Sequence, residues 1–271
     1  MELNVRGFEA KAYAYTGGKP FDAALPCIVF VHGALHDHSV WTLLARWFAH
    51  HGHGVLAVDQ PGHGRSGGAP LASVEALADW LLALLDAAGV KKASLVGHSM
   101  GSLIALEAAA RAPTRADTLV MVGTAYPMKV SEALLETARS APLKAIDMVN
   151  VFSHSTMAAK PSHPGPGTWL HGANRALMRR VQAGQTAVNL FHHDFGVCDR
   201  YAGGLEAAAK VTCPVTMVLG ERDQMTMPKQ SHEIAQALKA RVHTVAAGHA
   251  LMTEAPDALL STLREALHRP R

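Results

Sequence analysis

The sequence predicts a doubly wound, mostly parallel α/β sheet that carries a helical insertion. Short apolar runs alternate with amphipathic helical patterns along most of the 271 residues, which is typical of a parallel sheet covered by helices on both faces. This alternation stops at residues 126–201, where helical patterns follow one another without a buried strand. A Gly-x-Ser-x-Gly sequence at 97–101 joins an apolar run to a helical pattern. We therefore predict an α/β core at 1–125 and 202–271 with a helical cap at 126–201.

Composition indicates a globular protein and argues against several kinds of partner. Apolar residues make up 49% and charged residues 17% of the chain, values that exclude a disordered protein. The net charge of +3 is small and the Lys and Arg residues are scattered, so we expect no nucleic-acid partner. Three distant cysteines (Cys27, Cys198 and Cys213) suggest reduced thiols in a cytoplasmic protein. The N-terminus lacks a signal-peptide pattern and no apolar run is long enough to span a membrane, so we expect no membrane partner. Nothing in the sequence indicates the oligomeric state.

The first elements are predicted from their apolar spacing. Loose alternation at 3–16 predicts two short strands at an antiparallel edge. The continuous apolar run at 27–31 predicts a strand buried on both faces of a parallel sheet. A helix at 40–49 and a buried strand at 54–59 follow. Ser73 is expected to cap the next helix, which ends at Gly89.

The remaining core elements repeat the same alternation. Further strands are expected from Ala93 and at 118–122, 215–219 and 242–245, with helices at 103–110, 230–238 and 256–267. The predicted cap contains helical patterns at 132–139, 143–152 and 174–184 and a loop rich in Pro and Gly at 160–167. A helical insertion of this kind is expected to cover the carboxyl ends of the strands, where α/β proteins bind ligands.

The sequence at 97–101 reads Gly-His-Ser-Met-Gly and has the composition of a sharp strand-to-helix turn. Glycines two residues before and two residues after Ser99 let the neighbouring backbone pass without Cβ clashes. Such a turn lifts the serine hydroxyl above the sheet. It also leaves the Met100 N–H at a helix N-terminus, where it can donate to developing negative charge.

This strand, turn and helix resemble the nucleophile elbow of the α/β-hydrolase family, in particular its cap-bearing serine hydrolases such as carboxylesterases and C–C bond hydrolases. The resemblance runs from about residue 25 to the C-terminus, apart from a weakly matching insertion. It implies an α/β-hydrolase fold and a small-molecule ester or acyl substrate. It also implies a catalytic triad in the chain order Ser, acid, His.

The acid and the base are expected after late strands. Asp223 follows the strand at 215–219, and its Gly-x-x-Asp context is similar to the family's acid loop; Glu221 is a competitor closer to the strand. His249 is the expected base because, of the histidines, it alone follows the last strand and precedes the last helix. We expect His249→Gln to remove most activity, and His36→Gln and His63→Gln not to do so.

The resemblance also implies an oxyanion hole and a substrate pocket. The Met100 N–H is one expected donor, and the resemblance makes Ala34 the second. His32 is expected to brace the loop that carries Ala34, since a histidine can hydrogen-bond backbone through both ring nitrogens. The residues expected to line the substrate pocket are Leu35, His98, Phe152, Trp169, Met225 and Leu251.

No cofactor and no metal are expected. The run His36-Asp37-His38 is half of a zinc signature, but its second half is missing and no cluster of Cys or Glu completes four ligands. No glycine-rich phosphate loop of a known type is present. A serine in place of aspartate at the elbow argues against dehalogenase and epoxide hydrolase chemistry, as the resemblance implies.

The predicted activity is cleavage of a carboxylic ester or related acyl bond of a small, largely apolar substrate through an acyl-enzyme. The same triad would also serve a C–C bond hydrolase of ring-cleavage diketones, an acyltransferase or a perhydrolase. A ligand-sensing module that keeps the triad but turns over negligibly is the alternative outside enzymes.

Overall fold

The computed structural model describes residues 1–157 and 168–267 and contains one eight-stranded sheet. The strands are β1 (Glu2–Leu3), β2 (Ala12–Tyr15), β3 (Cys27–Val31), β4 (Gly54–Asp59), β5 (Ala93–His98), β6 (Ala116–Val122), β7 (Val215–Gly220) and β8 (Arg241–Val245). Their spatial order is β1-β2-β4-β3-β5-β6-β7-β8. Strands β3 to β8 pair in parallel, and β1 and β2 form the expected antiparallel edge.

The described helices flank this sheet or lie in the predicted cap. They are α1 (Thr42–Ala49), α2 (Val74–Ala87), α3 (Met100–Arg111), α4 (Glu132–Ser140), α5 (Pro142–Ser153), α6 (Leu170–Gly184), α7 (Leu190–Arg200), α8 (Gly204–Ala208), α9 (His232–Ala237), α10 (Leu251–Glu254) and α11 (Pro256–Leu267). Short 3₁₀ turns lie at His38–Trp41, Pro113–Arg115 and Pro228–Ser231. Among the described residues, no helix has the length and apolarity needed to cross a membrane.

The continuous apolar strands are explained by burial on both faces of the sheet. In β3, Val29 and Val31 pack with α2 and α3, whereas Ile28 and Phe30 pack with α1 and α11 on the opposite face. All four side chains are at most 1% exposed. Neither face of the strand can accept polar residues at low cost, so the alternation typical of half-buried strands is lost. This arrangement confirms the predicted doubly wound sheet.

Both ends of α2 lie where the sequence predicts them. The Ser73 hydroxyl accepts a hydrogen bond from the Ala76 N–H (3.1 Å), so α2 begins at Val74. The left-handed φ of Gly89 (+70°) follows the end of that helix. The predicted loop at 160–167 lies outside the described residues.

Helices α4 to α7, which we call the insertion helices, lie between β6 and β7 in the chain. Their buried side chains, including Ile146, Met178 and Phe191, join the same hydrophobic cluster as α2 and α3. Three of the insertion helices match the predicted patterns, but α7 is not predicted from the sequence because Gly196 and several polar residues interrupt its apolar spacing. Helices α8 and α10 are also missed, since four or five residues are too few to show a helical period.

Candidate active site

Ser99 occupies a strained turn between β5 and α3. Its backbone has φ 52° and ψ −123°, a region that residues other than glycine rarely adopt. A Cβ on Gly97 would lie 2.1 Å from the Gly101 carbonyl oxygen, and a Cβ on Gly101 would lie 2.3 Å from the Val31 carbonyl oxygen. Only glycine fits at both positions, which explains the Gly-x-Ser-x-Gly spacing sterically.

His249 lies in the loop after β8 and contacts an acid through one ring nitrogen. Its Nδ1 lies 2.8 Å from Asp223 Oδ2, and His249 is only 7% exposed. A carboxylate oxygen accepts, so Nδ1–H donates and Nε2 carries the lone pair of the neutral ring. Ser99 and His249 line the same cavity. The imidazole is thus held in the tautomer that a general base requires.

Asp223 is fixed as an ionised acceptor by the turn after β7. Its Oδ1 accepts the N–H groups of Met225 and Thr226 at 2.8 Å each, and the Thr226 hydroxyl donates to Oδ2 at 2.7 Å. Burial acts to raise the pKa of Asp223, but the His249 ring and the Thr226 hydrogen bonds outweigh burial and lower it. The competing carboxylate, Glu221, is exposed.

Ala34 lies in the loop after β3, directly beside the nucleophile. A Cβ on Gly33 would lie 3.0 Å from Ser99 Cβ, so this loop passes close to the turn that carries the serine. The Gly33 carbonyl, which shares a peptide plane with the Ala34 N–H, accepts a hydrogen bond from His32 Nδ1 (2.8 Å). His32 Nε2 accepts the Gln60 N–H (3.1 Å), so His32 uses both nitrogens to brace this segment.

The protonation state of His32 agrees with these two bonds. Burial, followed by the neighbouring His63, lowers the pKa of His32 to about 4. The ring is therefore neutral near pH 7, with a proton on Nδ1 for the Gly33 carbonyl and a lone pair on Nε2 for the Gln60 N–H. The second expected donor, the Met100 N–H, belongs to the first residue of α3 and is one of the amides without a partner inside that helix.

His98 contacts His249, the expected base, through a hydrogen bond to its backbone. Its Nε2–H donates to the His249 carbonyl oxygen (2.9 Å), and the two rings lie 4.7 Å apart. Burial, followed by the charges of His249 and His36, lowers the pKa of His98 well below its ordinary value, so this ring is neutral. Its Nδ1 lies beside Gly33 and has no protein partner among the described residues.

The cavity over Ser99 has a volume of about 260 Å³ and is bounded by both the core and the insertion helices. Its apolar lining comes mainly from the predicted cap. These side chains are Met128, Val130, Leu134, Met148, Val149, Phe152, Met178, Phe195 and Cys198, with Met225 from the acid loop. Lys129 is the one charged residue among the described lining, and its Nζ donates to the Asp199 carbonyl oxygen (2.7 Å).

The structure places half of the expected pocket residues at this cavity. His98, Phe152 and Met225 line it, whereas Leu35, Trp169 and Leu251 do not. Leu35 and Leu251 are fully buried in the hydrophobic clusters on opposite faces of the sheet. Trp169 is 47% exposed and its Nε1–H donates to the Met157 carbonyl oxygen. These three assignments were wrong because core packing and the insertion geometry, not position in the chain, decide which side chains reach the site.

Two buried carboxylates near the site were missed by sequence reasoning. Asp194 on α7 is 1% exposed and contacts the loop that carries Ala34. Glu254 on α10 is 3% exposed and contacts the loop that carries His249. The signal for Asp194 was its position on an apolar helical face between Leu190 and Cys198, where an acid must have buried partners. For Glu254 no such signal exists, because α10 has only four residues.

One group of side chains has the composition of a metal site. Asp37, His38 and Asp59 have oxygen and nitrogen atoms within 4.8 Å of one another among the described residues. The Arg180 guanidinium lies 2.8 Å from Asp37 Oδ2 and already supplies a positive charge there. Asp59 accepts the N–H groups of His38 and Arg65. These contacts explain the cluster as a structural one that holds the loops after β3 and β4.

Comparisons with known proteins agree with this architecture. Esterase YbfF of Escherichia coli (strain K12) is 27% identical over 249 residues, which cover 89% of this chain and 92% of that protein. The sn-1-specific diacylglycerol lipase ABHD11 of Mus musculus is 36% identical over 135 residues, which cover 49% of this chain and 44% of the lipase. The chain therefore matches less than half the length of that lipase.

Solved structures and a family model extend the comparison to the whole fold. The enol-lactonase from Burkholderia xenovorans LB400 superposes with a TM-score of 0.81 at 23% identity, covering 98% of this chain and 99% of that one. An esterase from Exiguobacterium antarcticum gives 0.83 at 14% identity, covering 98% of each chain. At such identities these likenesses concern the fold alone. The model for the alpha/beta hydrolase fold matches residues 26–256. By this match over most of its length, the chain belongs to the alpha/beta hydrolase fold family.

Proposed function

We propose that this protein is a serine hydrolase that cleaves a carboxylic ester or related acyl bond of a small, largely apolar substrate. The observation that carries the proposal is the arrangement of Ser99, His249 and Asp223 at the cavity. Ser99 lies in a strained turn at the same cavity as His249, and His249 is bonded through Nδ1 to Asp223 at 2.8 Å. A nucleophile, a base and an orienting acid are the groups that acyl transfer requires.

The proposed reaction begins when Ser99 Oγ attacks the substrate carbonyl carbon and His249 Nε2 takes the hydroxyl proton. The carbonyl oxygen becomes an oxyanion, which the Ala34 and Met100 N–H groups stabilise. His249 returns the proton to the leaving oxygen, and the alcohol departs from an acyl-enzyme. Water then attacks the acyl group with His249 again as base, which releases the acid and restores Ser99.

The cavity lining supports a neutral, apolar acyl group. Most of the described side chains around the cavity are apolar, and its one charged residue, Lys129, is bonded elsewhere. Arg175 and Arg179 pair with Asp147, and Arg180 pairs with Asp37, so none of the three is available as a carboxylate clamp. Pockets with apolar walls and a few polar groups bind ligands chiefly by removing apolar surface from water. Esterase YbfF, which matches 89% of this chain, supports the same proposal by its name.

The decisive test is Ser99→Ala assayed with p-nitrophenyl butanoate. We expect kcat to fall by about 10⁴- to 10⁶-fold with the fold retained, because the covalent step is lost. A fluorophosphonate probe should label Ser99 in the wild type and nothing in the variant. Ser140→Ala, an exposed serine at the end of α4, is the control and should keep full activity. Near-normal turnover by Ser99→Ala would refute the proposal.

A substrate panel separates this proposal from its alternatives. Acyl esters, a ring-cleavage diketone and a competing alcohol acceptor should be compared at equal concentration. Faster cleavage of the diketone would favour a C–C bond hydrolase, and a dominant transfer product would favour an acyltransferase. A stoichiometric burst without turnover would favour the sensing module. Steady ester hydrolysis is the outcome that we expect.

A further inference from the structure

The insertion helices place one carboxylate against the backbone of the loop at 32–35. Asp194 on α7 is 1% exposed, and its Oδ2 accepts the Leu35 N–H at 2.8 Å. The same oxygen lies 2.8 Å from His63 Nε2. Its Oδ1 lies 3.1 Å from His193 Nδ1. An acid from the last of the insertion helices thus reaches a main-chain amide beside the expected oxyanion donor, Ala34.

The amide that Asp194 holds belongs to a strained residue. Leu35 has φ +54°, in the left-handed region where a residue with a branched side chain is uncommon. Such a conformation persists only when the surroundings fix it. The peptide between Ala34 and Leu35 is held at both ends, since the Ala34 carbonyl accepts a hydrogen bond from His36 Nδ1 at 2.7 Å. His36 Nε2 in turn lies 2.8 Å from the Asn174 side chain on α6.

These contacts fix the direction of the Ala34 N–H. The peptide before Ala34 is held through the Gly33 carbonyl by His32, a residue of the core. The peptide after Ala34 is held by Asp194 and His36, and both of these are tied to insertion helices. With both neighbouring peptide planes fixed, the Ala34 N–H has one orientation. The Ala34 N–H itself lies in the first plane, which joins the second at the Ala34 Cα, so releasing the second plane would leave this donor held from one side only.

His63 supplies the charge that keeps Asp194 ionised. Its Nδ1 lies 3.1 Å from the Pro61 carbonyl oxygen and its Nε2 2.8 Å from Asp194, so both nitrogens face acceptors and both carry protons. Burial is the largest single influence and acts to lower the pKa of His63, but the Asp194 charge together with the hydrogen bonds to Asp194 and Pro61 outweighs burial and raises it. Burial acts to raise the pKa of Asp194, yet His63 and the other donors hold it below its ordinary value.

The pair is therefore not a second acid–base dyad. A general base needs a free ring nitrogen, and His63 has none. A buried ion pair is also weak evidence for stability, because desolvation of two charges offsets their attraction. The contact that distinguishes this pair from an ordinary buried salt bridge is the Leu35 N–H.

We propose that Asp194 is a positioning residue that holds the Ala34–Leu35 peptide and thereby aims the Ala34 N–H at the reacting oxygen. The inference rests on the proposed serine hydrolase activity and deepens it. The insertion then does more than cover the cavity, because seating α7 completes the oxyanion hole. Substrate binding by the apolar lining does not depend on this contact, so the effect falls on kcat.

The test compares Asp194→Ala with Asp194→Asn in the full chain. The Asn side chain keeps an oxygen for the Leu35 N–H and loses the charge, whereas Ala removes the acceptor. We expect kcat per fluorophosphonate-titrated site to fall about 10- to 100-fold in Asp194→Ala, since an error of about 1 Å in a catalytic group costs that much. KM should change by less than about threefold, and Asp194→Asn should recover most of kcat.

Tyr201→Phe is the matched control. Tyr201 directly follows α7, and its hydroxyl donates to Glu107 on α3 at 2.7 Å, away from the loop at 32–35. The Tyr201→Phe substitution removes a partly buried hydrogen bond between the insertion and the core and leaves the oxyanion donor unchanged. The kcat of this variant per titrated site should therefore equal that of the wild type. If Asp194→Ala shows the same kcat per site as Tyr201→Phe, the proposal is overturned.

Two further measurements keep the test decisive. Should Asp194→Ala not fold, Asp194→Glu keeps the charge beside His63 but moves the carboxylate; we then expect Asn to retain more kcat than Glu. The reverse order would mean that only the ion pair matters and would overturn the proposal.

Hydrogen exchange at the Leu35 amide should accelerate in Asp194→Ala and not in Tyr201→Phe. This measurement needs no turnover. A wild type that hydrolyses no ester would refute the proposed hydrolase, and amide exchange would still test whether Asp194 holds the Leu35 N–H.

Discussion

Thr226 and the backbone amides beside it decide what the Asp223 carboxylate can do. Three donors point at its two oxygens, and the fourth contact is the His249 Nδ1–H. A carboxylate surrounded by donors stays ionised, and an ionised acid holds the imidazole in one tautomer. The orientation of the base is therefore set by the acid loop and not by the base itself.

Asp223→Asn should consequently be far more damaging than its small change in size suggests. The amide group would present N–H to groups that themselves donate, so His249 would lose its orienting acceptor. We expect kcat to fall by about 10⁴-fold, as for loss of the acid in other triads. Steady-state hydrolysis of p-nitrophenyl butanoate, normalised to titrated sites, measures the effect.

Glu221→Gln is the matched control for that substitution. Glu221 lies in the same turn, two residues before Asp223, and its side chain is exposed. We expect it to retain the wild-type kcat. A large loss in Glu221→Gln together with a small one in Asp223→Asn would show that the acid is misassigned.

The three residues of the proposed triad could be singled out in the sequence because each lies in a short segment with its own steric or positional signature. Ser99 is flanked by glycines that close backbone approaches require, and Asp223 and His249 each follow a recognisable strand. Leu35 has no such signature: it follows the expected oxyanion residue, yet its left-handed backbone turns it into the core. His36 and His63, whose substitution by Gln is predicted not to remove most activity, both contact groups that hold the loop at 32–35.

At the scale of elements, α10 and the end of α5 together fix the loop that carries His249. Glu254 Oε2 accepts the Gly248 N–H (2.5 Å), and Oε1 accepts the Ser155 N–H (2.8 Å) and hydroxyl (2.7 Å). The Ala250 N–H donates to the Ser153 carbonyl oxygen (3.0 Å). The residues on both sides of the base are thus tied to the insertion.

Glu254→Gln should loosen this loop. Its amide N–H would face a donor at Gly248 or at Ser155, which leaves a buried donor unsatisfied and costs about 1–3 kcal/mol. We expect a lower free energy of unfolding in urea and a lower kcat per titrated site. Glu265 on α11 is an exposed partner of Arg241, and Glu265→Gln should change neither the free energy of unfolding nor kcat. Equal behaviour of the two variants would contradict a role for Glu254.

Helix α7 is the longest helix that sequence analysis missed, and the reason is physical. Strand positions were predictable because burial on two faces favours uninterrupted apolar runs, as in β3. Helix α7 carries an acid and two histidines within one turn, which hides its apolar face. Those polar residues are compatible with burial only because partners such as His63 and the Leu35 N–H come from distant parts of the chain. The identity of such distant partners cannot be read from the local sequence, even where the position of the acid on an apolar face indicates that partners must exist.

At the scale of the whole molecule, His63 and Asp194 join the core to the insertion through a charge pair whose strength depends on pH. The folded pKa of His63 lies above its unfolded value of about 6.5. Its contribution to stability is therefore complete below pH 6.5 or so and is lost as pH rises through the folded pKa. Asp194 has a lowered folded pKa, so its contribution is present above about pH 4 and is lost only in stronger acid.

The free energy of unfolding of Asp194→Asn should reveal this dependence. Compared with the wild type, the variant should be less stable by about 1–3 kcal/mol near pH 5.5, and the difference should shrink at alkaline pH. His32 is neutral in this range because its pKa is about 4, and Asp59 adds a negative charge that also favours the His63 proton. Urea denaturation at both pH values measures the difference.

Asp86→Asn provides the comparison for that experiment. Asp86 is an exposed partner of Arg115, so its substitution should have the same small effect at both pH values. A stability difference for Asp194→Asn that grows with rising pH would contradict a protonated His63.

The shared cavity gives the last prediction, because core and insertion together set the length of acyl chain that fits. Each buried methylene should add up to about 0.8 kcal/mol to binding until the space of about 260 Å³ is filled. We expect kcat/KM to rise from acetyl to butanoyl or hexanoyl esters and then to drop. Val149→Phe places a larger side chain in the lining on α5 and should move the optimum to shorter chains. Val151→Phe, on the same helix but 52% exposed and outside the described lining, should leave the optimum unchanged. A clear preference for an anionic substrate over its neutral methyl ester would contradict the apolar assignment, since the paired arginines offer it no partner.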